Sequence, residues 1–289
     1  GEEESEYCFI IEKSRRTSMR IGNRDFDVEH KTYVMGILNV TPDSFSDGGK
    51  WNSLDHALFH TEDMIKEGAE LIDIGGESTR PGYQRITEQD ELERVLPYIE
   101  AVRKRFDIPV SVDTCKAKVA EQAVTAGAGM VNDITGLKGD KKMAEIIAKT
   151  GVPCCIMHNR NLKERPYTDV AADVLADLRD SIQIGLVAGI KKEQIITDPG
   201  IGFGKTLSDN LIVMKHLERL LELGYPVLLG TSRKSMIGLS LNLPVEERVE
   251  GTVATTVLGV MKGCSFIRVH DVKENYRALK MTEAILNAV

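Results

Sequence analysis

The run Val34-Met-Gly-Ile-Leu-Asn-Val40 leads into Thr41-Pro-Asp-Ser-Phe-Ser-Asp-Gly-Gly49 and then into a stretch that begins Ser53-Leu-Asp-His-Ala-Leu58. The first piece is apolar except for Asn39, the composition of a strand covered on both faces. The second is made of turn formers and small polar residues. The third opens on a capping-type Ser53, and Leu54, Ala57, Leu58, Met64 and Ile65 recur at helical spacing as far as Gly68. Strand, loop and helix form one unit, and its repetition decides the fold.

Seven further apolar runs follow: Leu71–Gly75, Val110–Asp113, Met130–Ile134, Cys154–His158, Ile195–Asp198, Val227–Thr231 and Phe266–His270. Helical patterns cover Thr87–Arg105, Lys116–Ala126, Lys142–Lys149, Val170–Ala188, Ser208–Leu223, Val245–Met261 and Val272–Ala288. Thr87-Glu-Gln-Asp90 reads as a capping box with Asp in place of Glu. Glycines such as Gly151 and Gly189 stand where helix C-caps need a left-handed residue. Strand-helix units repeated in this way, with no linker between them, predict a single (β/α)8 TIM barrel of the α/β class. A doubly wound open sheet is the structural alternative, and it usually stops at fewer strands. The barrel is expected to occupy residues 19–289. Residues 1–18, with Glu2, Glu3, Glu4 and Glu6, read as an N-terminal extension or tag remnant rather than a secretory signal.

The composition agrees with a soluble globular chain: 289 residues, 42% hydrophobic and 28% charged. No apolar run reaches the ~18 residues of a membrane span. The 37 Lys and Arg against 44 Asp and Glu give a net charge of −7, which argues against a nucleic-acid partner. The five cysteines (Cys8, Cys115, Cys154, Cys155 and Cys264) form no C-x-x-C pair, so neither a zinc ribbon nor a redox motif is expected. Reduced thiols in a cytoplasmic protein are expected instead.

In such a barrel the active face is built by the C-terminal strand ends. In order these carry Asn39, Glu77-Ser78-Thr79-Arg80, Asp113, Asn132-Asp133, His158, Asp198, Ser232-Arg233-Lys234 and Arg268-Val269-His270-Asp271. The mixture suits a ligand with two parts. Asp, Asn and Lys match the edge of a flat heterocycle that alternates donors and acceptors, and Arg and His match a phosphate group. Asn39 offers an oxygen to a hard cation such as Mg²⁺. Gly200-Ile-Gly-Phe-Gly-Lys-Thr206 has Pro199 where a nucleotide-binding phosphate loop needs Gly, so it reads as a Gly-rich turn that approaches a ligand. His30, His56, His60 and His216 read as solvated or helix-face residues, and Cys154, Cys155, Met35 and Met64 as core. The Thr41–Gly49 loop, where Phe45 sits between Asp43 and Asp47, reads as a lid.

Taken together, the motifs resemble the dihydropteroate synthase family. The segments that carry the resemblance are Met35–Gly49, Asp73-Ile-Gly-Gly-Glu-Ser-Thr-Arg-Pro-Gly82, Ser111-Val-Asp-Thr114 and Val131-Asn-Asp-Ile134, followed by Asp198-Pro-Gly-Ile-Gly-Phe-Gly-Lys205, Thr231-Ser-Arg-Lys-Ser235 and Arg268-Val-His-Asp-Val272. The resemblance runs over roughly residues 19 to 289. It implies condensation of (7,8-dihydropterin-6-yl)methyl diphosphate with p-aminobenzoate by an SN1-like route, a Mg²⁺ cofactor, a homodimer and a sulfonamide target. By motif position, Asp113, Asn132, Met157, Asp198, Phe203 and Lys234 would hold the pterin. Asn39, Thr79, Arg268 and His270 would bind the diphosphate, with Asn39 touching the metal. Arg80, Pro81, Phe203 and Ser235 would line the p-aminobenzoate site, and Phe45 and Asp47 would lie in a closing loop. Asn39, Asp113, Lys234, Arg268 and His270 would carry the chemistry. Where many relatives read Met-His-Met-Gln, this chain reads Met157-His-Asn-Arg160. A methyltetrahydrofolate-binding methyltransferase barrel is the alternative. Its members lack the first-loop motif and Ser232-Arg-Lys-Ser235. A pterin-binding module without catalysis and a Schiff-base aldolase using Lys234 are more distant readings.

Overall fold

The computed structural model describes residues 18–42, 53–78 and 84–289. Eight parallel strands make one sheet: β3 (Tyr33–Asn39), β4 (Leu71–Gly75), β5 (Val110–Asp113), β6 (Met130–Asp133), β7 (Cys154–Met157), β8 (Ile195–Asp198), β9 (Leu228–Leu229) and β10 (Phe266–Val269). Neighbours in the chain are neighbours in the sheet, and β10 pairs with β3. A parallel bridge between Thr197 and Val227, with the Thr197 N–H donating to Pro226 O at 2.9 Å, joins β8 to the β9 segment and closes the ring.

Helices α1 (Ser53–Glu67), α2 (Glu88–Arg105), α3 (Ala117–Thr125), α4 (Met143–Thr150), α5 (Val170–Ala188), α6 (Leu207–Lys215), α7 (Ser235–Leu241), α8 (Val249–Met261) and α9 (Val272–Leu286) surround it. Alternation along each strand sorts the side chains. Leu38, Ile72, Ile74, Val112, Val131, Ile156 and Ile267 pack outward against the apolar helix stripes in the main core. Met35, Leu71, Met130, Cys155, Ile196, Leu228 and Phe266 form a second, separate cluster at the N-terminal end of the barrel.

That second cluster is completed by a hairpin, β1 (Ser18–Ile21) and β2 (Arg24–Asp27), whose Met19, Ile21 and Phe26 are buried against it. The Phe26 ring meets Tyr33 edge-on at 4.8 Å and Phe266 at 5.7 Å between centroids. The hairpin therefore seals the base of the barrel and leaves the opposite end for polar groups.

The eight apolar runs are the eight strands, to within a residue or two at most ends. Besides the hairpin, which the sequence reading does not predict, three details differ. The helix expected over Ser208–Leu223 is α-helical only to Lys215 and continues as a 3-10 stretch over Leu217–Leu223. The one expected from Val245 starts with a 3-10 turn and becomes α-helical at Val249. A short helix, α7, intervenes between β9 and α8; its Gly238 hides it from pattern reading. A Cβ on Gly238 would lie 2.2 Å from the Arg248 guanidinium, which donates to Arg233 O and Leu243 O.

Truncating Phe26 to Ala should cost about 3–5 kcal/mol, since the ring is fully buried and its cavity cannot collapse between barrel and hairpin. Urea unfolding checks this, and a loss below about 1 kcal/mol would contradict the hairpin's role as a plug.

Candidate active site

Above the dry base the barrel interior turns polar. Asp73 sits in the middle of β4, Asp113 ends β5, Asn132 lies in β6, Asp198 ends β8 and Arg268 lies in β10. The register sets Gly75 beside Asp113 and Asp113 beside Asn132, and it sets Met157 beside Asp198. Gly75 matters here because a Cβ would stand 3.2 Å from the Asp113 carboxylate.

Arg268 ties the group together. Its Nε donates to Asp73 Oδ2 at 2.7 Å, a terminal nitrogen reaches Asp113 Oδ2 at 3.4 Å, and Asn132 Nδ2 donates to the same Asp73 oxygen at 3.1 Å. Burial works against the Arg268 charge, but Asp73 and Asp113 hold its pKa above the usual value. Asp113 is pushed up to about 7 by burial and by the charge of Asp73, with Arg268 opposing. Burial also raises Asp198, opposed by Lys234 and by the Gly200 N–H that donates to it at 2.8 Å.

Lys234 stands at the start of α7. Its Nζ donates to Ile201 O at 2.7 Å and lies 5.1 Å from the centre of the Phe203 ring. Burial pulls it down to about 8 while Asp198 favours its charge. Three carboxylates thus face two cations in this interior. Asp73 Oδ1, Asn132 Oδ1 and Ser111 Oγ are also buried there without a hydrogen-bond partner. Acceptors left unpaired in a buried cleft call for a ligand or waters that carry N–H or O–H groups.

At the rim, Ser232 Oγ accepts from the His270 backbone N–H at 3.0 Å and lies 2.7 Å from His270 Nδ1. Ser232 thus holds the His270 ring in place through Nδ1. Asn39, at the end of β3, is exposed, and Ser235 follows Lys234 in the first turn of α7. Arg233 and Asp271 pair with each other through two hydrogen bonds of 3.0 and 2.7 Å. Asp133 faces away from the interior: it accepts from the Thr135 N–H, the Thr135 hydroxyl and the Leu137 N–H, and ties a turn. Phe45, Asp47, Thr79, Arg80 and Pro81 lie outside the described residues.

The structure therefore brings Asp113, Asn132, Met157, Asp198, Phe203, Lys234, Arg268 and His270 to one end of the barrel, with Asn39 and Ser235 on the same rim. Sequence reasoning missed Asp73, Ser111 and Lys205. Asp73 left a signal: an acid inside the apolar strand Leu71–Gly75, two residues from both Leu71 and Gly75, must face the interior and needs a partner there.

Residues 35–270 match a family described as pterin binding enzyme. A dihydropteroate synthase of Clostridium beijerinckii is 61% identical over 269 residues, 93% of this chain and 99% of its own length. Two crystallised proteins have the same architecture. The dihydropteroate synthase of Clostridium difficile, solved in the presence of pteroic acid, superposes with a TM-score of 0.87 at 50% identity and covers 91% of this chain and 100% of its own. That of Xanthomonas albilineans with 4-aminobenzoic acid gives 0.90 at 42%, over 94% and 99%.

The ion cluster has a direct spectroscopic consequence. One aspartate carboxyl, missing in Asp113→Asn, should titrate near 7 by carbon-13 NMR. In Asp73→Asn that titration should move to lower pH, because removing a neighbouring negative charge favours ionisation of Asp113. An unmoved titration would mean that Asp73 does not act on Asp113.

Proposed function

The chain belongs to the pterin-binding enzymes, and among them to the dihydropteroate synthases, and from that footing we propose how its residues join (7,8-dihydropterin-6-yl)methyl diphosphate to p-aminobenzoate. The observation that carries the reading is the buried interior with more carboxylates than cations and with unpartnered acceptors. An amino-pyrimidinone edge supplies the N–H groups such an interior lacks. Asp113 and Asp198 accept from the ring nitrogens and its amino group, Asn132 bonds beside them, and Lys234 donates to a ring acceptor. Met157 and Phe203 supply apolar walls. The methyltransferase alternative gives way to relatives that match over nearly the whole chain and are dihydropteroate synthases.

The reaction breaks the bond between the exocyclic methylene carbon and a diphosphate oxygen, and the pair of electrons leaves with pyrophosphate. The electron-rich dihydropterin spreads the positive charge that develops, and the Asp113 carboxylate lies close to it. The amine nitrogen of p-aminobenzoate then gives its lone pair to the carbon and loses a proton, forming 7,8-dihydropteroate. An arylamine is already neutral at pH 7, so no strong base has to prepare it. The demand falls on stabilising charge separation. Fixed donors aimed at the leaving group serve it, each contributing about 3–4 kcal/mol when well placed. Arg268, anchored on Asp73, and the His270 imidazole are those donors, and motif position adds Thr79, which lies outside the described residues. Keeping water from the cation is the part that motif position gives to Phe45 and Asp47, which lie outside the described residues. Arg80, Pro81, Phe203 and Ser235 hold the p-aminobenzoate.

No cluster of three or more His, Cys, Asp or Glu among the described residues is arranged to hold a metal. The fit is instead to a cation that arrives with the diphosphate, to which Asn39 adds one amide oxygen. Mg²⁺ binds in this way, with few protein ligands and several waters. When bound it neutralises charge on the departing pyrophosphate. A homodimer in the cytoplasm belongs to the same reading. Exposed Leu211, Ile212, Leu239, Leu241 and Met261 on the adjoining helices α6, α7 and α8 support the first. The free thiols of Cys115, Cys154, Cys155 and Cys264 suit the second.

Incubation with the pterin diphosphate, labelled p-aminobenzoate and Mg²⁺ should yield labelled dihydropteroate and one pyrophosphate per turnover, and failure to form it would reject the reading. EDTA should stop the reaction and added Mg²⁺ restore it; turnover in EDTA would remove Asn39 from its place. Lys234→Ala should lower kcat/KM by at least about 100-fold while the barrel stays folded. Near-parental turnover would show that the pterin does not lie against Lys234.

A further inference from the structure

Part of the proposed pterin site is made of backbone. Ile201 O receives Lys234 Nζ, the Gly200 N–H donates to Asp198, and the Phe203 ring lies under the Lys234 ammonium. All three belong to one turn, residues 199–204, which contains three glycines at positive φ: Gly200 at 70°, Gly202 at 89° and Gly204 at 55°. Glycines give a chain segment more freedom than other residues do, so this turn needs something to fix it.

That something is Lys205. Its ammonium carries three N–H groups, and three acceptors meet it: Gly200 O at 3.0 Å, Phe203 O at 2.9 Å and His158 Nδ1 at 2.8 Å. His158 can accept because its other nitrogen, Nε2, donates to Asp177 Oδ2 at 2.8 Å, which fixes the tautomer. Asp177, buried in α5, also receives Arg160 Nε at 2.9 Å and Arg165 at 3.1 Å. The turn is pressed against the segment after β7. A Cβ on Gly200 would fall 1.8 Å from His158 O, and one on Gly204 would fall 2.0 Å from Arg160 O. Arg160, in that same segment, anchors this chain of contacts through Asp177. None of Lys205, His158 or Asp177 has a role in the chemistry proposed above.

We propose that Lys205, oriented by His158 and Asp177, is a positioning residue that gathers the carbonyls of the 199–204 turn and so aligns Asp198, Lys234 and Phe203 on the pterin. The inference rests on the pterin lying against that pair. Removing the ammonium leaves two carbonyls and an imidazole nitrogen without a donor. The turn then relaxes, and Ile201 O and the Gly200 N–H move off their partners.

The test compares Lys205→Met, His158→Leu and His158→Gln with Lys234→Ala run alongside. Calorimetry reads the Kd of the pterin diphosphate with Mg²⁺, and steady-state assays separate KM from kcat. Lys205→Met and His158→Leu should weaken binding at least about tenfold and raise KM for the pterin diphosphate in step. His158→Gln keeps one donor for Asp177 and one acceptor for Lys205, and should return to within about threefold of the parent. Should Lys205→Met fail to fold, Lys205→Arg replaces it. Its planar guanidinium cannot meet three acceptors set around an ammonium, so it should bind at least about fivefold more weakly. Parental binding in the lysine variants while Lys234→Ala loses it would overturn the proposal alone. A fall in Tm with no change in Kd would do the same. Parental binding in Lys234→Ala would overturn the pterin reading on which the proposal stands.

Discussion

Arg268 is held between Asp73 and Asp113 inside a closed ring of strands, and the site is organised around this partly buried contact. A guanidinium largely withdrawn from water needs anions close by, and removing one of them leaves charge uncompensated. Two carboxylates share that duty here, from β4 and β5, and Asn132 from β6 donates to the Asp73 oxygen that Arg268 also uses. Three adjacent strands and the last one are therefore tied through a single cation. The arrangement keeps Asp113 within reach of a ligand with its pKa raised, so that in its ionised form the carboxylate is a strong acceptor for an entering N–H group.

Such an interior can exist because the other end of the barrel is dry. Phe26, Met19 and Ile21 of the hairpin complete the layer formed by Met35, Leu71, Met130 and Phe266. Along β4 the inward positions run from Leu71 in that layer to Asp73 and then Gly75 beside Asp113. One strand thus passes from apolar to charged to a glycine that makes room for Asp113 within five residues. The alternation that buries Ile72 and Ile74 against the helices is what leaves the intervening positions available for chemistry.

The barrel was legible because each strand is an apolar run set apart by turns and each helix has a stripe and a cap. Thr87 illustrates this: its hydroxyl accepts from the Asp90 N–H, one of the two bonds of the capping box that the four-residue pattern predicts. The strand-end residues were legible for the same reason, since closure of the ring brings them together regardless of loop length. What escaped was held by contacts between distant pieces. The hairpin is short and its charged Arg20, Arg24 and Asp25 mask the alternation, although Gly22-Asn23 is a hairpin turn pair. In the sequence Lys205 is only the end of a Gly-rich turn that approaches a ligand. It became intelligible once β7 and α5 placed His158 and Asp177 behind it, and neither is near it in sequence.

The two lysines of the site show how one residue type serves two ends. Lys234 keeps a protein acceptor, Ile201 O, on one side and faces the interior with its remaining donors. All three donors of Lys205 are taken by the protein, so it has nothing to offer a ligand. Burial lowers both, to about 8 and about 7. His158, with burial and the Lys205 charge holding it down to about 3, stays neutral and keeps accepting from Lys205. A cation that is fully satisfied fixes geometry, and one that is partly satisfied recognises. The turn between them lets the first act through the second, because the carbonyls that Lys205 gathers flank the carbonyl that Lys234 uses.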